Sequence, residues 1–155
     1  MTDVELTRAL ERGEIANESF HHLSHLHVAW VYLYESSSLN EAAAKMRDTL
    51  RKFAASAGKA EKYHETITLF WVRLLATIRR ASFRQTLEQV VQAKPRLLEK
   101  NFPLDYYSPE ILFSDRARTE WVEPDLKPLP ANAIEICSSG PASNPSDRVV
   151  CGWLE

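Results

Sequence analysis

Apolar residues recur at helical spacing along most of the first hundred residues, and no stretch of useful length indicates a β-strand. The pattern predicts helices over residues 3–12, 17–35, 41–57, 61–80 and 83–93, with a further short one around 96–100. Asn17 and Asn40 are expected to cap the second and third helices, and Gly58 suits the position just after the third. The fourth helix is apolar over most of its circumference, which is typical of a central, buried helix.

The last third of the chain differs in character. An aromatic, proline-punctuated stretch from Phe102 to about residue 129 predicts short turns and one helix begun by Ser114, packed across the bundle because its large apolar groups are costly to leave in water. From about Pro130 the chain is rich in Ser, Pro, Asn and Gly. We therefore expect an all-α, single-domain bundle of four main helices plus short ones over 1–129, followed by an irregular, flexible or loosely docked tail over 130–155.

The composition of the chain argues against some classes of binding partner. The formal net charge is −2, with 26% charged and 45% hydrophobic residues, so nucleic acid and anionic membranes are not expected as main partners. No apolar run reaches the 18 or so residues of a membrane span, and no signal-peptide core is present. The two cysteines, Cys137 and Cys151, fit no zinc pattern. We expect a cytoplasmic protein, with Arg79 and Arg80 on a solvated helix face.

The histidines are concentrated in two places. Four of the five lie in FHHLSHLHVAW, and the fifth lies in YHETITLFW. A helical projection places Glu18, His21, His22 and His25 in one arc of about 100°. His27 lies on the opposite, apolar side and is expected to be a core histidine. A buried histidine needs partners for its ring nitrogens, and a metal, a carboxylate or a backbone carbonyl would all serve.

One interpretation of the histidines is a metal site. His22 and His25 lie on adjacent turns, and His64 from a neighbouring helix completes a three-histidine ligand set. Glu65 or Glu18 would then be a fourth ligand, a partner of a ligand, or a general base acting on bound water. Three protein ligands with one water are typical of catalytic zinc, whereas two histidines with one carboxylate suit iron or manganese.

A second metal pattern is also present. ExxH occurs as Glu18–His21 and as Glu61–His64, which is the spacing of di-iron carboxylate bundles. Such bundles need a glutamate from each of two further helices. Glu41 and Glu88 are the only candidates, and neither lies on a convincing inward stripe.

Three motifs, taken in order, resemble a family of small, uncharacterised bacterial all-helical proteins. The family pattern is F-x-H-x-x-H-x-x-V-A-x-x-Y-L, then Y-H-E-T, then L-x-S-x-x-A-R with P-D-L. Here it falls on Phe20, His22, His25, Val28, Ala29, Tyr32, Leu33, Tyr63, His64, Glu65, Thr66, Leu112, Ser114, Ala117, Arg118, Pro124, Asp125 and Leu126. The resemblance covers about residues 5–129. It implies that His22, His25, His64 and Glu65 belong to one pattern, which leaves out His21 and His27, and it implies no substrate. A looser likeness is to DinB-type metal-dependent four-helix bundles, whose histidine spacing differs.

Three functions therefore remain open. The first is a small, hydrolase-like metalloenzyme, in which His22, His25 and His64 hold Zn, Fe or Mn and Glu65 activates a water. The second is a metal-free pocket for a small-molecule substrate or ligand, in which histidine and glutamate transfer protons. The third is a non-catalytic helical interaction module, such as a homodimer.

Overall fold

The computed structural model describes residues 2–82 and 84–130, and over these ranges the protein is all-α, as predicted, without a strand. The helices are α1 Asp3–Glu11, α2 His22–Glu35, α3 Leu39–Ser56, α4 Glu65–Ala81, α5 Leu87–Ala93, α6 Pro109–Leu112 and α7 Asp115–Thr119. Short 3₁₀ turns cover Asn17–Ser19, Ala60–Lys62, Pro95–Leu98 and Phe102–Asp105. Apart from Pro130, the predicted tail lies outside the described residues.

Helix α4 is the centre of the bundle, and its predicted burial is confirmed. It packs against α2, α3 and α7, and nearly every residue from Glu65 to Leu75 is buried. Phe70 meets Phe102 of the later aromatic stretch edge-on, with ring centroids 6.1 Å apart. In the described part of the chain, no helix combines the length and the apolar character that a membrane span requires.

Helix α2 begins later than the sequence pattern predicts. Asn17 starts only a 3₁₀ turn, and the helix itself starts at His22, after His21 in an extended conformation. Between them Phe20 is buried against Phe53, with ring centroids 5.0 Å apart, and extended backbone at Phe20 separates the 3₁₀ turn from the helix. The projection that grouped Glu18 with the histidines is therefore wrong, because Glu18 is not on α2.

Helix α4 also begins later than predicted, at Glu65, because His64 is its N-cap. His64 Nδ1 accepts a hydrogen bond of 3.1 Å from the Ile67 amide, as a serine or asparagine oxygen does at most helix starts. Neither predicted ExxH pair, Glu18–His21 or Glu61–His64, therefore lies on one helix. The di-iron pattern is wrong for this reason.

The aromatic stretch packs across the bundle as predicted, and Ser114 does cap a short helix. Hydrogen bonds fasten the segment after α7 to α4. The Thr66 hydroxyl donates to the Glu120 carbonyl at 2.7 Å and accepts from the Val122 amide at 3.2 Å. The Tyr107 hydroxyl donates to the Val122 carbonyl at 2.6 Å. These bonds hold the segment at Glu120 and Val122. Further along, the Leu126 amide donates to the Tyr106 carbonyl and Leu129 packs against the core.

Candidate functional site

The predicted histidine ligands each donate to a backbone carbonyl. His22 Nε2 donates to Leu97 O at 2.9 Å, and His25 Nδ1 donates to His21 O at 3.1 Å. His64 Nε2 donates to Leu112 O at 2.7 Å. A nitrogen that carries a proton for such a bond has no lone pair for a metal. The other ring nitrogen of His64 accepts the Ile67 amide, so both nitrogens are used in holding the fold and neither is free to bind a metal.

The structure does not bring His22, His25 and His64 together. Among the described residues, one set of three metal-ligating side chains has its atoms within 4.8 Å of one another, and it consists of Asp3, His27 and Glu88. The three-histidine ligand set is therefore not assembled. Of the three partners that the sequence left open for buried histidines, the backbone carbonyl is the one observed.

Burial also makes these histidines weak bases. It lowers the pKa of His25 to about 3, with the neighbouring His22 acting in the same direction. It lowers the pKa of His64 to about 4, and the charge of Arg118 adds to the effect. Groups with such pKa values are uncharged at neutral pH and accept protons poorly. Proton transfer by His25 or His64 near pH 7 is thus disfavoured.

Glu65, the predicted general base, lies in a buried ion pair. Arg47 Nε lies 3.0 Å from each carboxylate oxygen, Arg47 Nη2 donates to Oε2 at 2.6 Å, and the Tyr63 hydroxyl donates to Oε1 at 2.6 Å. Burial alone would raise the pKa of Glu65, but the bonds from Arg47 and Tyr63 outweigh it and lower the pKa. The carboxylate stays ionised, ties α3 to α4, and has little affinity for a substrate proton.

A cavity of about 640 Å³ lies between the turn that joins α2 to α3 and the C-terminal half of α4. Arg73, Arg79 and Arg80 line it, together with the hydroxyl residues of the turn, Ser36–Ser38, and Thr77. Its apolar wall consists of Leu33, Leu39, Leu74, Ala76, Leu129 and Pro130. None of the described residues that line it is acidic. The volume is within the range of small-molecule sites.

The cavity is electropositive. In the part of the chain that the structure describes, no carboxylate oxygen lies within 4.0 Å of Arg73, Arg79 or Arg80. Arg73 lies over the Trp121 ring at 4.2 Å, and Arg79 lies over Trp30 at 5.5 Å. Aromatic faces attract the guanidinium groups but carry no net charge, and the acidic residues that share a hollow with Arg73 are Glu123 and Asp125, outside the cavity. We expect the cavity to attract anions.

Two further features add hydrogen-bond donors. The Ser36 hydroxyl is buried and has no hydrogen-bond partner among the described residues. The 18-residue helix α3 begins at the cavity, where Ser38 and Leu39 line the wall, and its N-terminus carries a partial positive charge. The Glu41 carboxylate accepts from the amide and hydroxyl of Ser37 and does not line the cavity.

Comparison with protein-family models, with curated proteins and with solved structures finds no match to this chain. The family resemblance carried by the histidine motifs stays a prediction. Function must therefore be argued from the geometry of this molecule.

Sequence reasoning missed both the cavity and the Asp3–His27–Glu88 set. The predicted exposure of Arg80 is confirmed, whereas Arg79 is half-buried, and both line the cavity, which the helix pattern did not predict. His27 was assigned to the core, although its side chain is 16% exposed and faces Asp3. The paired arginines beside a serine-rich turn were the available signal for the cavity. The metal-ligating set has no local signal, because its members come from three separate helices.

Proposed function

We propose that the protein binds a small amphipathic anion, a phosphate or carboxylate with a hydrocarbon body, in the cavity between the α2–α3 turn and α4. The observation that carries this proposal is the convergence of Arg73, Arg79 and Arg80 on one cavity without a carboxylate partner in the described residues. Guanidinium groups bind phosphate and carboxylate through paired, charge-assisted hydrogen bonds.

The rest of the lining supports the amphipathic character of the ligand. The Ser36 hydroxyl has no partner among the described residues, and because it is buried it becomes a donor for the ligand only after its side chain rotates towards the cavity. The wall formed by Leu33, Leu74 and Leu129 offers apolar surface to a hydrocarbon chain. Inorganic phosphate alone would bind the arginines but leave the apolar wall in contact with water. An anion with an apolar body also covers this wall and therefore binds more tightly.

Calorimetric titration with octyl phosphate, inorganic phosphate and octylammonium tests the proposal. We expect octyl phosphate to bind at one site, inorganic phosphate to bind at least about tenfold more weakly, and octylammonium not to bind. Arg80→Gln removes an exposed charge with little effect on folding and should weaken octyl phosphate binding about tenfold.

The matched control is Arg51→Gln. Arg51 is likewise exposed and has no carboxylate within 4.0 Å among the described residues, but it lies over Tyr63, outside the cavity. Its replacement should leave affinity unchanged. Equal binding of octyl phosphate and octylammonium, or equal loss of affinity in Arg80→Gln and Arg51→Gln, would contradict the proposal.

A further inference from the structure

Three side chains from three helices converge outside the cavity. His27 Nδ1 of α2 lies 2.9 Å from Asp3 Oδ1 of α1 and 3.9 Å from Glu88 Oε1 of α5. Two ligands of one metal, with bonds of about 2.1 Å, lie at most about 4.2 Å apart. Both distances from the imidazole nitrogen satisfy this limit. The ligand atoms of all three groups lie within 4.8 Å of one another, so side-chain rotation has to bring the two carboxylates closer together for one ion to contact all three groups.

The imidazole nitrogen lacks a hydrogen bond where it stands. His27 Nδ1 is buried from solvent and makes no well-directed hydrogen bond to the described residues, although Asp3 Oδ1 lies 2.9 Å away. A buried polar nitrogen without a partner is uncommon. A metal cation that accepts the lone pair of His27 Nδ1 would give this nitrogen a partner, whatever the alignment of the Asp3 oxygen.

The two carboxylates also lack a cationic side chain. No lysine or arginine in the described ranges lies within 4.0 Å of Asp3 or Glu88. Beside them is a hollow of about 360 Å³ with a mostly apolar lining that includes Leu23, Leu87 and Val91. The side chains of Asp3 and Glu88 are 36% and 66% exposed, so water screens part of their mutual repulsion, and a divalent cation between them removes the rest.

We propose that Asp3, His27 and Glu88 bind one divalent transition-metal ion, which fastens α1 and α5 to α2. One imidazole nitrogen with two carboxylate oxygens is a ligand set for Zn²⁺, Mn²⁺ or Fe²⁺, whereas Mg²⁺ and Ca²⁺ prefer oxygen alone. Water completes the coordination on the side of the hollow. The site shares no residue with the anion cavity, so its test is independent of the proposed function.

Titration of the full chain with Zn²⁺ tests the site. The protein should carry no affinity tag, and Cys137→Ser and Cys151→Ser should be present throughout, because thiolates bind zinc themselves. We expect one Zn²⁺ per chain and a rise in the thermal unfolding midpoint on adding Zn²⁺ but not Mg²⁺. Glu88→Gln should weaken Zn²⁺ binding at least about tenfold and abolish the rise.

Glu88→Gln is the decisive variant because the Glu88 side chain is 66% exposed and its replacement leaves the fold intact. Asp3→Asn should have the same effect, since Asn retains the shape of Asp. The matched control is Glu110→Gln on α6, which is also exposed and should bind Zn²⁺ as the parent does. The proposal is overturned if the parent binds no Zn²⁺ below about 100 μM, a threshold of weak affinity, or if Glu88→Gln binds as tightly as Glu110→Gln.

Discussion

The buried histidines predict that the protein loses stability in mild acid. Burial lowers the pKa of His25 to about 3 and that of His64 to about 4, from the usual histidine value of 6.5. Below pH 6.5 the unfolded chain therefore binds protons that the folded chain does not. The free energy of unfolding falls as the pH falls from about 6.5 towards these folded-state values.

The magnitude follows from the two pKa values of each histidine. Between pH 7 and pH 5, His25 and His64 each lower the free energy of unfolding by about 2 kcal/mol, or about 4 kcal/mol together. Burial also lowers the pKa of His22, which acts in the same direction. A carboxylate such as Glu65, with a pKa below its usual 4.5, loses its contribution only at lower pH. The interval from pH 7 to pH 5 thus isolates the histidines.

Urea unfolding followed by circular dichroism, at pH 7 and pH 5 with a chelator present, measures this loss. His64→Asn is the informative variant, because an Asn oxygen can accept the Ile67 amide as an N-cap while the titrating ring is removed. We expect it to be less stable at pH 7 and to lose only about 2 kcal/mol between pH 7 and pH 5.

The control is His21→Ser, at the exposed N-cap of α2, which removes one histidine and leaves the buried rings of His25 and His64 in place. The reasoning is refuted if the parent's free energy of unfolding at pH 5 is within about 1 kcal/mol of its value at pH 7, against the loss of about 4 kcal/mol worked out above.

Three further substitutions test the polar contacts of the bundle by urea unfolding. Arg47→Met leaves the Glu65 carboxylate buried without its ion-pair partner, so we expect the free energy of unfolding to fall by about 3 kcal/mol. The double variant Arg47→Met with Glu65→Gln should regain part of this free energy, and no recovery would contradict the reasoning. Thr66→Val removes both bonds to the segment after α7 and should cost about 2 kcal/mol, against little change for Thr119→Val on the surface. Tyr32→Phe removes the hydroxyl that joins α1 to α3 and should cost about 1–2 kcal/mol, and an unchanged midpoint would show that water replaces it.

The helices could be predicted from the sequence because periodic apolar positions record burial directly. The core stripe of α3, with Met46, Leu50 and Phe53, is buried as the spacing predicts, and Gly58 follows that helix with φ of +71°. The starts of α2 and α4 could not be predicted in the same way. Their N-caps, His21 and His64, are not the residues that usually hold this position.

The candidate sites were harder to predict than the helices, for a physical reason. Spacing along one helix fixes which residues share a face, but it does not fix what that face meets. His22 and His64 do face the interior, and there they meet the carbonyls of Leu97 and Leu112, which no local pattern marks as acceptors. The cavity likewise depends on where the turn after α2 meets the end of α4.

The hydroxyl of Thr66 has a consequence for the order in which the molecule is completed. It holds the segment after α7, and the end of that segment, Leu129 and Pro130, supplies part of the cavity wall. The arginines and serines of the cavity are all present once residue 80 has been synthesised, but the last two residues of the apolar wall, Leu129 and Pro130, follow some fifty residues later. Ligand affinity is therefore a reporter of C-terminal docking, and a chain truncated after α4 would retain the charges of the site without its enclosure.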